Sequence, residues 1–184
     1  MGFEYSNQAG ACGPTGNVRT YHVDSGHSTR LTVGDVVKAT GTSHTDGVKE
    51  VDAATQGAAV VGVIAGIDFT LSGETLSPAG TLAASTAGTV QVITDPQALF
   101  EVECDETLSD VDVGLNADAA VTASTLSGGL AISNMVLDSS TKATTQTLHF
   151  NIVALLKGKT SGTLGDRALV RLNNCEVSDG ATGV

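Results

Sequence analysis

The run AAVVGVIAGI at residues 58–67 decides the fold class. Ten apolar or glycine residues in a row suit either a buried helix or a strand covered on both faces, and periodicity alone does not separate the two. The interior glycines, Gly62 and Gly66, weigh against a helix. Glycine weakens a helix interior, whereas in a strand it marks a place where another backbone comes close. The run therefore reads as a strand buried on both faces or approached by a neighbouring chain segment.

Working outward, the flanking segments are also short, rich in β-branched residues and punctuated by Gly, Ser, Asp or Pro. Residues 31–38 form one such run, with Gly34 and Asp35 marking a bend. TVQVIT at 89–94 is ended by Asp95 and Pro96, since proline cannot continue a ladder. In LFEVEC at 99–104, Phe100, Val102 and Cys104 alternate with Leu99, Glu101 and Glu103. DVDVGLNADA at 110–119 shows the longest alternation: Val111, Val113, Leu115, Ala117 and Ala119 against Asp110, Asp112, Gly114, Asn116 and Asp118. Period two predicts one strand with its apolar side chains inward and its acids outward. Leu148, Phe150 and Ile152 alternate with His149, Asn151 and Val153, and residues 168–172 supply a final strand. The pattern predicts an all-β fold, a compact sandwich or barrel of about eight to ten short strands with little helix. The best helical candidate is a turn or two between Asp95 and Leu99, and no internal repeat of fixed period is visible.

The ends read differently. Residues 1–30 are rich in Gly, Asn and Ser without apolar periodicity, which predicts an extended N-terminal arm that orders on a partner. Residues 31–174 form the β domain, and 175–184 a C-terminal tail.

Composition narrows the function. The chain has 184 residues, with 9 Lys+Arg against 20 Asp+Glu and a formal charge of -11. Nucleic-acid binding draws on Lys and Arg, so no nucleic-acid partner is expected. Aromatic residues are 3% of the chain and Trp is absent, which leaves few rings for stacking bases or sugars. No apolar stretch reaches the roughly 18 residues of a membrane-span candidate, and MGFEYSNQ lacks a signal-peptide layout, so no membrane partner is expected and synthesis in a cytoplasm is. Cys12, Cys104 and Cys175 are odd in number and far apart, which speaks against a disulfide framework.

No spacing typical of a nucleophile, a metal site or a phosphate loop occurs, so no catalytic, cofactor-binding or metal residues are assigned and no cofactor is expected. AGACGPTG lacks a preceding apolar strand. His22, His27 and His44, with Asp24 or Cys12, match no ligand pattern and read as loop histidines. Asp110, Asp112, Asn116 and Asp118 suggest a calcium loop, but Gly114 falls at position five where position six is required. They read instead as a solvated acidic strand face, with a cation or a basic partner as the sharper alternative. His149 is expected on the surface.

The runs GDVVKATG (34–41), AAVVGVIAGI (58–67), AGTVQVITDPQALFEVECDE (87–106), SGGLAISNMVLDSSTKATTQTLHFNIVALLKG (127–158) and LVRLNN (169–174), in this order, resemble the capsid cement, or decoration, proteins of tailed bacteriophages. The resemblance covers roughly residues 31 to 174. Ala131 departs from it where a serine is common, and the arm has no counterpart in it. It implies a non-enzymatic structural protein on the virion exterior, a homotrimer that binds the major capsid protein lattice and cements neighbouring subunits. Deleting the arm should then leave a folded domain that attaches weakly. The alternatives are another virion β-module, such as a head fibre, tail-tube or receptor- or glycan-binding domain, or a small hydrolase whose residues only the fold would bring together.

Overall fold

A computed structural model describes residues 2–6, 18–68, 80–127, 130–176, 178–179 and 183. The protein is all-β. In chain order the strands are β1 (Glu4–Ser6), β2 (Val18–Val23), β3 (Leu31–Thr32), β4 (Val36–Ser43), β5 (Lys49–Ala53), β6 (Gly62–Asp68), β7 (Thr81–Leu82), β8 (Gly88–Ile93), β9 (Leu99–Glu103), β10 (Asn116–Ala120), β11 (Thr125–Ser127), β12 (Leu130–Ile132), β13 (Val136–Ala143), β14 (Phe150–Lys157), β15 (Leu164–Leu172), β16 (Asn174–Cys175) and β17 (Ser178–Asp179). The excess over the expected number comes from strands of two or three residues. The only helical element among the described residues is a 3-10 turn, Asp110–Asp112. At Asp95 the chain makes a turn instead of a helix, closed by the Ala98 amide on the Asp95 carbonyl and by the Gln97 amide on the Asp95 carboxylate.

The longer strands build two rings. The first is a closed barrel in the order β2-β5-β4-β6-β8, antiparallel throughout except where β5 meets β2 in parallel at His22 and Glu50. The second is the sheet β1-β9-β15-β14-β10-β13, all of whose neighbours are antiparallel. This sheet curls until Cys104, the residue after β9, bridges Leu137 of β13 in parallel. The Asp105 amide then donates to the Leu137 carbonyl at 3.1 Å.

The two rings share one connectivity: first strand beside third in parallel, third beside second, second beside fourth, fourth beside fifth, fifth beside first. The match extends to single hydrogen bonds. Gly34 and Gly114 take φ of 91° and 93°. Their amides donate to Ile64 O at 2.9 Å and Ile152 O at 2.8 Å, and the amides of Ile64 and Ile152 return to Asp35 O and Leu115 O, both at 2.9 Å. One register shift falls between Ile64 and Gly66 in the first ring and between Ile152 and Ala154 in the second. Inward residues correspond as well, with Val37, Val51, Ile64, Val90 and Val92 answered by Ala117, Leu137, Ile152, Ala168 and Val170. The chain thus contains an internal structural duplication, although no sequence repeat of fixed period is visible. The sequence hides it because the connecting loops differ in length and few equivalent positions keep their residue.

The rings pack asymmetrically. Val36, Val63 and Ile93 point out of the first barrel and share a core with Phe3, Phe100, Met135 and Phe150. Their counterparts in the second ring are Asn116, Asn151 and Arg171. Because Val36 and Val63 face that shared core while Val37 and Ile64 fill the barrel, neighbouring residues are buried on opposite faces. This accounts for the unbroken apolar run at 58–67. A Cβ at Gly62 would lie 2.0 Å from Ile93 O, so the close backbone approach expected of this run is present.

At both predicted ends, described residues belong to the fold. Within residues 1–30, β1 pairs with β9, β2 is a barrel strand, and Phe3 stacks on Phe150 with ring centroids 4.4 Å apart. Residues 7–17 lie outside the described part. In the tail, Cys175 is buried and bridges Val60, while β16 pairs with β17. Residues 174–176 therefore tie the end of the second ring to the first.

Candidate functional site

The acidic stretch at 110–119 is not one strand. Ser109 N–H and Oγ both donate to Asp112 Oδ2 at 2.9 Å, which fixes the 3-10 turn. Val111 is consequently 83% exposed and Asp112 buried, the reverse of the predicted faces. Lys142 Nζ reaches Asp112 Oδ2 at 3.0 Å. The Ser109 amide holds the Asp112 carboxyl below its usual range, and Lys142 adds to this. Only from Asn116 is the chain extended, and there both faces are covered.

Asp118 is buried as well and binds backbone instead of a cation or a basic partner. Its Oδ1 accepts from the His149 amide and its Oδ2 from the Gly57 amide, both at 3.0 Å. His149, expected on the surface, is fully buried. Its Nδ1 lies 3.2 Å from the Ala119 amide and its Nε2 3.0 Å from Thr55 O. Nδ1 must accept from an amide and Nε2 faces a carbonyl, so the ring is neutral with its proton on Nε2. With Gln56 donating to Asp138 at 2.7 Å, loop 55–57 of the first barrel is clamped onto the second ring. No local pattern could reveal this, because the clamp joins residues far apart in the chain.

Burial lowers the His149 pKa against the opposing pull of Asp118. A histidine kept neutral stabilises the fold above the unfolded value near 6.5, and that stability is lost as pH falls through it. Asp35 acts the other way. It is fully buried, accepts the Thr32 amide at 2.8 Å and the Ser133 hydroxyl, and burial pushes its pKa up to about 6. The native state then holds a proton that the unfolded chain releases near 3.8. Stability from this group is gained as pH falls from about 6 to about 4, on the order of 2–3 kcal/mol. Urea unfolding across pH 4–8 should show the two slopes opposing. Asp35→Asn should steepen the acid loss, and His149→Gln should flatten it.

The remaining singled-out residues do not converge. His22 and His44 stack with ring centroids 3.9 Å apart, and His44 Nδ1 lies 3.0 Å from Asp46. His27 is buried with Nδ1 2.8 Å from Asp24 O. Cys12 lies outside the described residues. Burial first, then Asp105, Asp166 and Glu103, push the Cys104 thiol up to about 12, so it is a poor nucleophile. Among the described residues no group of three His, Cys, Asp or Glu could hold a metal ion, and no helix is long and apolar enough to cross a membrane.

The outer surface is where contacts can be made. A groove of about 510 Å³ runs between β1, β6 and β12, with Phe3 and Phe100 in its lining and Val33 and Ile132 exposed at its rim. Val111 and Val113, in the turn before β10, and Leu164, at the start of β15, are exposed as well. Val33 and Val113 occupy equivalent turns, each preceding the positive-φ glycine. Comparison with known proteins finds no matching family, no curated relative and no similar solved structure.

Proposed function

We propose that the protein is a structural virion component that binds the outside of an assembled phage capsid as a homotrimer and cements neighbouring major capsid protein subunits. The observation that carries this reading is the filling of both rings: Val, Ile, Leu and Ala close their interiors, while the large exposed apolar side chains sit on outer turns and edges. Such a molecule offers surface, not an enclosed site. Many copies, each with modest contact, add up through multivalency. A charge of -11 keeps the exterior protein soluble and discourages non-specific binding to DNA. Closed association would also cover strand edges.

The order of motifs supports the same reading. GDVV forms the turn into β4, GVI opens β6, VQVI lies in β8, FEVE in β9 and VLDSS in β13. The purified chain should have the solution mass of three copies and saturate expanded heads that lack it. A strict monomer that leaves such heads bare would overturn the proposal.

A further inference from the structure

The duplicated rings differ at one edge. In the second ring, the outer edge of the first strand, β9, carries an added strand: Glu4, Tyr5 and Ser6 of β1 lie opposite Glu101, Phe100 and Leu99. The registers with the last strand of each ring, Val18 to Ile93 and Arg19 to Val92 in one, Leu99 to Arg171 and Phe100 to Val170 in the other, make Val18, Arg19 and Thr20 the counterparts of Leu99, Phe100 and Glu101. In the second ring Phe100 is fully buried and its neighbours half-buried beneath β1, whereas Val18, Arg19 and Thr20 are all exposed. Among the described residues no strand pairs with that edge, and β5 meets β2 only farther along, at His22.

We propose that the Val18–Thr20 edge is an acceptor for an extended segment of a partner, added antiparallel as β1 is added to β9. Resting on the capsid reading, the occupant is an extended, acidic segment of the lattice protein. Backbone pairing supplies affinity in such strand addition, and side chains at alternate positions supply specificity. Arg19 stands where Phe100 stands under Tyr5, so an acidic residue in the Tyr5 position would meet it. Two copies of this chain pairing through the same edge would instead place Arg19 opposite Arg19, which opposes self-association there.

Amide exchange on the full chain, alone and bound to expanded heads lacking it, tests the assignment. Exchange of the edge-facing amides of Val18 and Thr20, which alternate with that of Arg19, should slow at least ten-fold on binding. Arg19→Glu, and Val18→Pro at the first strand position, where proline is tolerated, should each weaken binding ten-fold or more with the thermal midpoint nearly unchanged. If the chain binds heads while these amides exchange as before, the edge is not the contact and the capsid reading stands. Failure of the unaltered chain to bind heads at all overturns both.

Discussion

Gly62→Ala is expected to cost about 3–5 kcal/mol, the upper end for a single substitution, because the clash is with backbone. The new Cβ would sit 2.0 Å from Ile93 O and 2.9 Å from its carbonyl carbon, so β6 and β8 would have to separate where the barrel closes over its core. Gly66→Ala, four residues on in the same run, meets only the flexible Gln91 side chain, at 3.3 Å. Its expected cost is below about 1 kcal/mol. Denaturant midpoints of the two variants against the parent give the comparison. Equal losses would mean that the barrel does not close as described.

Removing residues 1–6 is expected to be nearly as damaging. The deletion takes Phe3 from its stack on Phe150, strips β1 from β9 and opens the groove over Phe100. Loss of a buried phenylalanine alone costs about 3–5 kcal/mol. For a chain of this length that lowers the melting temperature by on the order of 10 °C. Phe3→Ala should reproduce most of the loss. A truncated chain that melts with the parent would restore the detachable arm that the composition suggests.

The strand character was legible wherever burial had a simple pattern. Phe100 and Val102 alternate with Glu101 and Glu103 because β9 has one covered face, and the run at 58–67 is unbroken because β6 lies between two cores. The alternation at 110–119 misled because period two is necessary for a half-buried strand but does not exclude a turn. Ser109 three residues before Asp112, and Gly114 with positive φ, were the local signals of that turn. In the first thirty residues, Phe3 and Tyr5 were the clue among so few aromatics. Their partners, Phe150 and Phe100, lie too far along the chain for any window to connect them.

The fate of the acids follows the same logic. Glu101 pairs with Arg167, Asp112 with Lys142, and Asp118 and Asp138 hold loop 55–57, so several carboxylates that read as outward charge are internal fasteners. Buried carboxylates are tolerated when amides and cations satisfy them, and which donors arrive is decided by topology. The duplication was invisible for a related reason. What the rings share is hydrogen-bond register and inward volume, and valine, isoleucine, alanine and leucine exchange freely at such positions.

A density map of intact particles measures the central claim most directly. The capsid account predicts two-ring density on the outer face of the shell, grouped in threes and touching neighbouring major capsid protein subunits. Particles that carry the protein in the tail or in a fibre, or lack it altogether, would contradict the account.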